Sequence, residues 1–150
     1  MSGIVCAIRG GPSSQSTIEK AIELALEYSL PIYFVYVVNL DFMAHSSSSR
    51  VHMISQELEH LGEFILLNAK SKAEKMGVAA EGIIRHGEVG NEIIEVSREY
   101  DANFVILGQP RRKGEEDFFS DKRLKVFASN IEEKTNAKAV LTEVNQNNEA

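Results

Sequence analysis

The sequence alternates short apolar runs with longer segments in which apolar residues recur at helical spacing. The apolar runs are Gly3–Ile8, Pro31–Val38, Val78–Arg85, Phe104–Leu107 and Lys138–Val144. Runs of strand length without regular polar alternation are typical of strands covered on both faces of a sheet. The sequence therefore predicts the order βαβαβαβαβ, an α/β fold with an open parallel sheet, helices on both faces and right-handed crossovers.

Four segments between these runs have the periodicity of amphipathic helices. The first carries Ile18, Ala21, Ile22, Ala25 and Leu26; the second Ile54, Leu58, Leu61, Ile65 and Met76; the third Ile93, Ile94, Val96 and Tyr100; the fourth Leu124, Phe127, Ala128 and Ile131. Ser16 and Glu19 have the spacing of a capping box, which predicts that the first helix begins there. A single domain is assigned to residues 1–144, and the polar residues 145–150 are predicted to be a frayed tail.

Charge and cysteine content narrow the functional classes. The chain has 16 basic and 22 acidic residues, a net charge of −6. Such a chain is poorly suited to neutralising phosphates, so no nucleic-acid partner is predicted. The apolar runs are too short to span a bilayer, so no membrane partner is predicted. The N-terminus lacks a basic n-region, so no signal peptide is predicted. A single cysteine cannot form an internal disulfide, which favours a reducing compartment and predicts a cytoplasmic location.

Candidate ligand residues lie in the turns after the strands, because open parallel sheets bind ligands at that edge. In the first turn, the backbone N–H groups of Gly10 and Gly11 and the Ser14 hydroxyl would hold an anion beside the Arg9 guanidinium. The same residue types also form an ordinary tight turn with a helix cap, so both interpretations stay open. Val38 ends the second strand at the same edge.

The turn after the fourth strand is rich in charged residues. Arg111, Arg112 and Lys113 either bind an anion directly or form a solvated surface that balances the acidic residues 115–117. In the same turn, Phe118–Phe119 either closes over a site or anchors the fourth helix.

Other reactive side chains do not form a recognisable catalytic or metal pattern. His52 and His60 would lie about 80° apart on a helix, which is not the i, i+4 spacing of helical zinc ligands. His86 is interpreted as a turn residue, with a base or donor role as the alternative. Cys6 has apolar neighbours and is predicted to be buried and inert.

The stretch Gly87–Gly108, which reads G-E-V-G-N-E-I-I-E-V-S-R-E-Y-D-A-N-F-V-I-L-G, resembles the core of the universal stress protein family. Val5–Gly10 resembles the opening strand of that family. The resemblance implies a five-stranded sheet in the order 3-2-1-4-5 of the adenine-nucleotide alpha-hydrolase-like type. It also implies a role in the stress response and, in many members, a homodimer paired through the last strand, here Lys138–Val144.

Many members of this family bind ATP through the motif G-x2-G-x9-G-(S/T) after the fourth strand. Gly108 matches the first glycine, but Arg111 stands at the second, and Asp121 and Lys122 stand at the final pair. Arg9 replaces the aspartate that the family carries after its first strand. These departures argue against ATP, so the cofactor is left unassigned with ATP as a doubtful candidate.

The sequence thus predicts a non-enzymatic, stress-related regulatory module with one cleft beyond strands 1 and 4. The cleft is expected to bind a small anionic ligand, with nucleotides among the candidates, weakly or not at all. The predicted ligand-binding residues are Arg9, Gly10, Gly11, Ser14, Val38, Gly108, Arg111 and Arg112. The alternatives are a homodimeric interaction module with an empty cleft and an enzyme that hydrolyses nucleotides or adenylates a substrate. No catalytic residue and no metal site are assigned.

Overall fold

Five parallel strands form one sheet in the order β3-β2-β1-β4-β5. The parallel sheet is as the sequence patterns predict, and the strand order is as the family resemblance implies. The structure is a computed structural model that describes residues 2–9, 13–40, 47–108 and 121–142. The elements in chain order are β1 (Ile4–Ala7), α1 (Ser13–Tyr28), β2 (Ile32–Val38), α2 (Ser48–Lys75), β3 (Ala80–His86), α3 (Val89–Glu99), β4 (Phe104–Gly108), α4 (Asp121–Lys134) and β5 (Lys138–Thr142). No helix in these ranges combines the length and apolar character needed to cross a bilayer.

The sheet is covered on both faces, and each strand sends alternate side chains to opposite faces. Ile4 and Cys6 of β1 pack with α1 and α2, whereas Val5, between them, packs with α3 and α4. The same alternation separates Phe34 from Val35 in β2. Burial on both faces explains why the strands read as continuous apolar runs rather than as an apolar–polar alternation.

Several predicted boundaries differ from the structure, and two of them are wrong for a clear local reason. Helix α1 begins at Ser13, so Thr17 lies inside the helix and the capping box at Ser16 is not used. Strand β3 begins at Ala80 rather than at Val78, because the chain first has to leave α2. Gly77 adopts φ +83° there, and the backbone N–H of Val78 donates to the carbonyl of Ala73 at 3.0 Å.

The apolar stripe predicted for α2 overlaps only in part with the face that packs on the sheet. Leu58 and Ile65 are half-buried and pack against the core, as predicted. The buried residues are Gly62, Leu66, Ala69 and Ala73, whereas Leu61 and Met76 are about half exposed. A Cβ at position 62 would lie 2.5 Å from Cδ1 of Tyr36, so the glycine lets the helix approach β2 closely. In α1, likewise, Leu24 is buried and Leu26 is exposed. The predicted stripes of α3 and α4 lie against the core.

Candidate ligand-binding cleft

A cavity of about 400 Å³ lies at the carboxyl ends of β1, β2 and β4, between α3 and α4. Its volume is within the range of small-molecule sites. Strand residues form the floor, and the first turns of α3 and α4 form the walls. The lining residues are Ala7, Ile8, Arg9, Val35, Val37, Glu88, Val89, Gly90, Ile93, Leu107, Gly108, Leu124 and Phe127.

Among the described residues, the lining is apolar except for two charged side chains. Arg9 follows β1 and is exposed, and Glu88 stands at the start of α3. Phe127 is the aromatic side chain of the wall formed by α4. A cavity of this kind suits a flat, largely apolar group that carries polar atoms at its rim.

Glu88 caps the wall helix α3 with its own carboxylate. Its Oε1 accepts from the backbone N–H of Gly90 at 3.1 Å, and its Oε2 accepts from that of Asn91 at 2.9 Å. The N-terminus of a helix is a ready site for an anion, but here an acidic side chain occupies it. An anionic ligand group is therefore disfavoured beside α3 and is better placed near Arg9.

Gly108 borders the cavity on one side and packs against α1 on the other. A Cβ at this position would lie 2.6 Å from Oγ1 of Thr17. The Thr17 hydroxyl is buried and hydrogen-bonds the hydroxyl of Thr142 at 3.0 Å, and Thr142 donates to the carbonyl of Leu107 at 3.4 Å. The packing of α1 therefore requires glycine at this position, independently of any ligand.

Of the residues predicted to bind the ligand, the structure brings Arg9 and Gly108 together in the cavity lining. Ser14 is buried, and its hydroxyl accepts from the backbone N–H of Arg9 at 3.4 Å, so it ties the end of β1 to the start of α1. Val38 faces the core beneath α1 and α2. Its neighbour Val37 lines the cavity instead, because successive strand residues face opposite sides. The predicted residues outside the described part of the chain are Gly10, Gly11, Arg111 and Arg112, together with Lys113 and Phe118–Phe119.

Sequence reasoning missed Glu88, Gly90 and Phe127 as cavity residues. Glu88 lies in the turn after β3, and the sequence analysis gives its carboxylate no role. Phe127 lies on the apolar stripe of α4, and a stripe residue is indistinguishable in sequence from an ordinary core residue. Only the gap between α3 and α4 shows that its ring borders a cavity.

His86 and Cys6, which the sequence analysis singled out, both contribute to the structure and not to the cavity lining. His86 ends β3, and its Nε2 lies 2.5 Å from Oε1 of Glu59, so it ties the sheet edge to α2. The Cys6 thiol is fully buried, and burial raises its pKa, which keeps the thiol protonated and unreactive. Within the described ranges, no group of three His, Cys, Asp or Glu side chains is placed to hold a metal ion.

The sequence matches known proteins of one family. A profile described as the universal stress protein family matches residues 1–122. A universal stress protein of Methanocaldococcus jannaschii is 28% identical over 112 residues, which cover 74% of this chain and 66% of that protein, just under two thirds of its length.

Solved structures share the fold at lower identity. The universal stress protein UspA of Lactobacillus plantarum is similar with a TM-score of 0.75 at 10% identity, over 94% of this chain and 97% of that chain. The universal stress protein of Archaeoglobus fulgidus in complex with dAMP is similar with a TM-score of 0.62 at 18% identity, over 95% and 98% of the two chains.

Proposed function

The chain belongs to the universal stress protein family, and from this membership we propose that it is a stress-related regulatory module whose cleft holds a small adenine-nucleotide-like ligand. The observation that carries the proposal is the cavity of about 400 Å³ at the carboxyl ends of β1 and β4, bordered by Arg9 and Gly108. This is the edge at which open parallel sheets bind ligands.

The chemistry of the cavity supports a ligand with one apolar and one anionic end. The apolar walls, which include Val37 and Phe127, suit a nucleobase, and Arg9 at the rim suits a phosphate. Proteins of the same fold are known in complexes with dAMP, with cAMP and with AMP. The proposed ligand class for this chain is therefore an adenine nucleotide with few phosphates.

Weak binding and a non-enzymatic role are part of the proposal. Glu88 already occupies the N-terminus of α3, which would otherwise attract a phosphate. In sequence, Arg111 stands where the family's ATP motif has its second glycine. Both features reduce the affinity expected for a triphosphate.

A cavity-filling variant tests the site. A Cβ at position 90 would meet Oε1 of Glu88 at 3.1 Å and Cε1 of Phe127 at 3.2 Å, so Gly90→Leu directs a side chain into the cavity. Gly90 does not have a left-handed φ, so its backbone accepts leucine. Asn91→Leu is the matched control, since it adds the same side chain at an exposed position one residue along α3.

The measurement is thermal unfolding with AMP, cAMP, dAMP, ATP, adenosine or inorganic phosphate. A ligand at about 100 times its Kd should stabilise the protein by about 2.7 kcal/mol. We expect the monophosphates to stabilise the wild type and Asn91→Leu but not Gly90→Leu. Absence of any response in the wild type, or a full response in folded Gly90→Leu, contradicts the proposed site. Phosphate release from ATP that the wild type supports and Gly90→Leu abolishes would show an enzyme instead.

A homodimer through the last strand is a second proposed property. Strand β5 is an edge strand that pairs only with β4 among the described strands, and an exposed edge can pair with a second copy. The backbone N–H of Ala139 points away from β4, toward the free edge. It donates to Oε2 of Glu132 at 3.1 Å, however. Pairing through this edge must displace Glu132, so Glu132→Ala should tighten the dimer in sedimentation experiments. An unchanged dimer constant argues against this edge.

A further inference from the structure

Helix α2 carries an exposed apolar stripe on the side that faces away from the sheet. Met53, Leu61, Phe64 and Leu67 are 62%, 49%, 63% and 64% exposed. At about 100° per residue, these four positions fall within about 120° of one another around the helix. Single exposed apolar residues are ordinary, but several large ones grouped on one side of a helix, as Leu61, Phe64 and Leu67 are, mark an interaction surface.

Two acid–base pairs among the charged residues of α2 are arranged symmetrically along the helix. Glu57 and Lys75 are eighteen residues apart, about five whole turns, so they point in the same direction. Glu63 and Lys70 are seven residues apart, about two turns, and also share a direction. In both pairs the acid precedes the base, and both pairs are centred near position 66.

The helix dipole does not account for this arrangement. A dipole effect would place acidic residues in the first turn of α2, where there are none, whereas Lys72 and Lys75 do lie in its last turn. Glu57 and Glu63 lie in the interior of the helix, beside the apolar stripe. Their position relative to the lysines is explained by a second helix lying against the stripe in the antiparallel direction.

We propose that α2 is a self-association surface, on which a second copy of the chain packs its own α2 in antiparallel orientation. A twofold axis near position 66 brings Glu57 of each copy beside Lys75 of the other, and Glu63 beside Lys70. The stripes around Phe64 and Leu67 then cover each other. In a parallel arrangement, like charges would face each other at all these positions, which would oppose association.

This surface is independent of the ligand cleft and of the β5 edge. Helix α2 contacts β2 and β3, whereas β5 forms the opposite edge of the sheet. The cavity lies on the other face, between α3 and α4. Failure of ligand binding would therefore leave the proposal intact, and the two interfaces can be told apart by mutation.

The test is sedimentation velocity of the full chain over a concentration series at low salt. Phe64→Glu should weaken association at least about tenfold, since it places a charge in the centre of the stripe. Val126→Glu, at a 57% exposed position on α4, is the matched control and should have no effect. Glu57→Lys and Lys75→Glu should each weaken association about fivefold, because each breaks two symmetric ion pairs. The double variant Glu57→Lys/Lys75→Glu should restore it.

Restoration by the double reversal requires antiparallel pairing between copies of this chain, and a purely structural effect of the substitutions would not produce it. A wild type that stays monomeric throughout the series overturns the proposal and leaves the stripe to a different partner. A dimer that tolerates Phe64→Glu but responds to Glu132→Ala also overturns it, since the contact then uses the β5 edge. A double variant that is no better than the single reversals overturns the antiparallel orientation.

Discussion

Replacing Gly108 with alanine tests why the fourth strand ends in glycine. The added Cβ would lie 2.6 Å from Oγ1 of Thr17, well inside van der Waals contact. Gly108 does not have a left-handed φ, so alanine can adopt its backbone conformation. The cost of the substitution therefore comes from the contact with Thr17 and not from backbone strain.

The expected magnitude follows from the two opposing effects. Forcing an extra carbon into a packed region costs about 1–3 kcal/mol. Replacing glycine by alanine restricts the unfolded chain, which stabilises the folded protein by about 0.4–1 kcal/mol. Gly108→Ala should thus destabilise the ligand-free protein by roughly 1–2 kcal/mol.

Thr17→Ala provides the second half of a double-mutant cycle. It removes the hydroxyl that the new Cβ would meet and the hydrogen bond to Thr142, at a cost of about 1 kcal/mol. Thr142 keeps its bond to the carbonyl of Leu107. In the Thr17→Ala background, Gly108→Ala should become neutral or mildly stabilising, which gives a coupling of about 1–2 kcal/mol.

The assay is urea unfolding of the four ligand-free proteins, followed by circular dichroism. The reasoning is refuted if Gly108→Ala leaves the free energy of unfolding unchanged, or if its cost is the same with and without the Thr17 hydroxyl. In either case the glycine would not be needed for packing, and close approach of a ligand to the backbone would be its explanation.

Three further predictions follow from single contacts. Burial raises the pKa of the Cys6 thiol above its ordinary value of 9.0, so the unfolded chain loses this proton first as pH rises. Relative to Cys6→Ala, the wild type should lose about 1.4 kcal/mol more unfolding free energy per pH unit above that value, as urea unfolding at successive pH values will show. Glu88→Gln should tighten nucleotide binding about twofold to fivefold in calorimetry, because it removes a negative charge from the cavity wall; unchanged affinity would mean that the phosphate lies far from α3. Gly82→Ala would place a Cβ 2.9 Å from Cβ of Leu66 and should lower the urea midpoint by an amount equivalent to about 1–3 kcal/mol. An unchanged midpoint would show that α2 can move away from β3.

The sequence predicts the fold well because short local patterns of apolar residues identify most of its strands and helices. Continuous apolar runs such as Pro31–Val38, short and rich in β-branched and aromatic residues, favour strands buried on both faces, and their alternation with helices favours a parallel sheet. The start of α1 was mispredicted because Ser16 and Glu19 have capping-box spacing although the helix already begins at Ser13. The same serine–glutamate spacing also occurs inside a helix, so the local pattern alone cannot fix the helix start.

Helix α2 shows a second limit of pattern reasoning. Large apolar residues such as Leu61 were assigned to the core, whereas the structure places small residues such as Gly62 and Ala69 against the sheet. Small residues allow a helix to approach a sheet closely, as the contact between position 62 and Tyr36 shows. Hydrophobicity identifies which residues avoid water, but the close approach of two backbones decides which of them face the core.

The two charges of the cleft together determine how a ligand can lie in it. Arg9 stands at the end of β1, in the position where the family resemblance calls for an acid, and Glu88 stands on the wall formed by α3. A phosphate is attracted to the first and repelled by the second, while hydrogen-bond donors on a base are compatible with the remaining lone pairs of the carboxylate. Because Thr17 already fixes Gly108 from the other side of the sheet, the glycine alone carries no information about the ligand. The polarity between Arg9 and Glu88 is therefore the feature of this cleft that would determine ligand orientation and favour a singly phosphorylated ligand over a triphosphate.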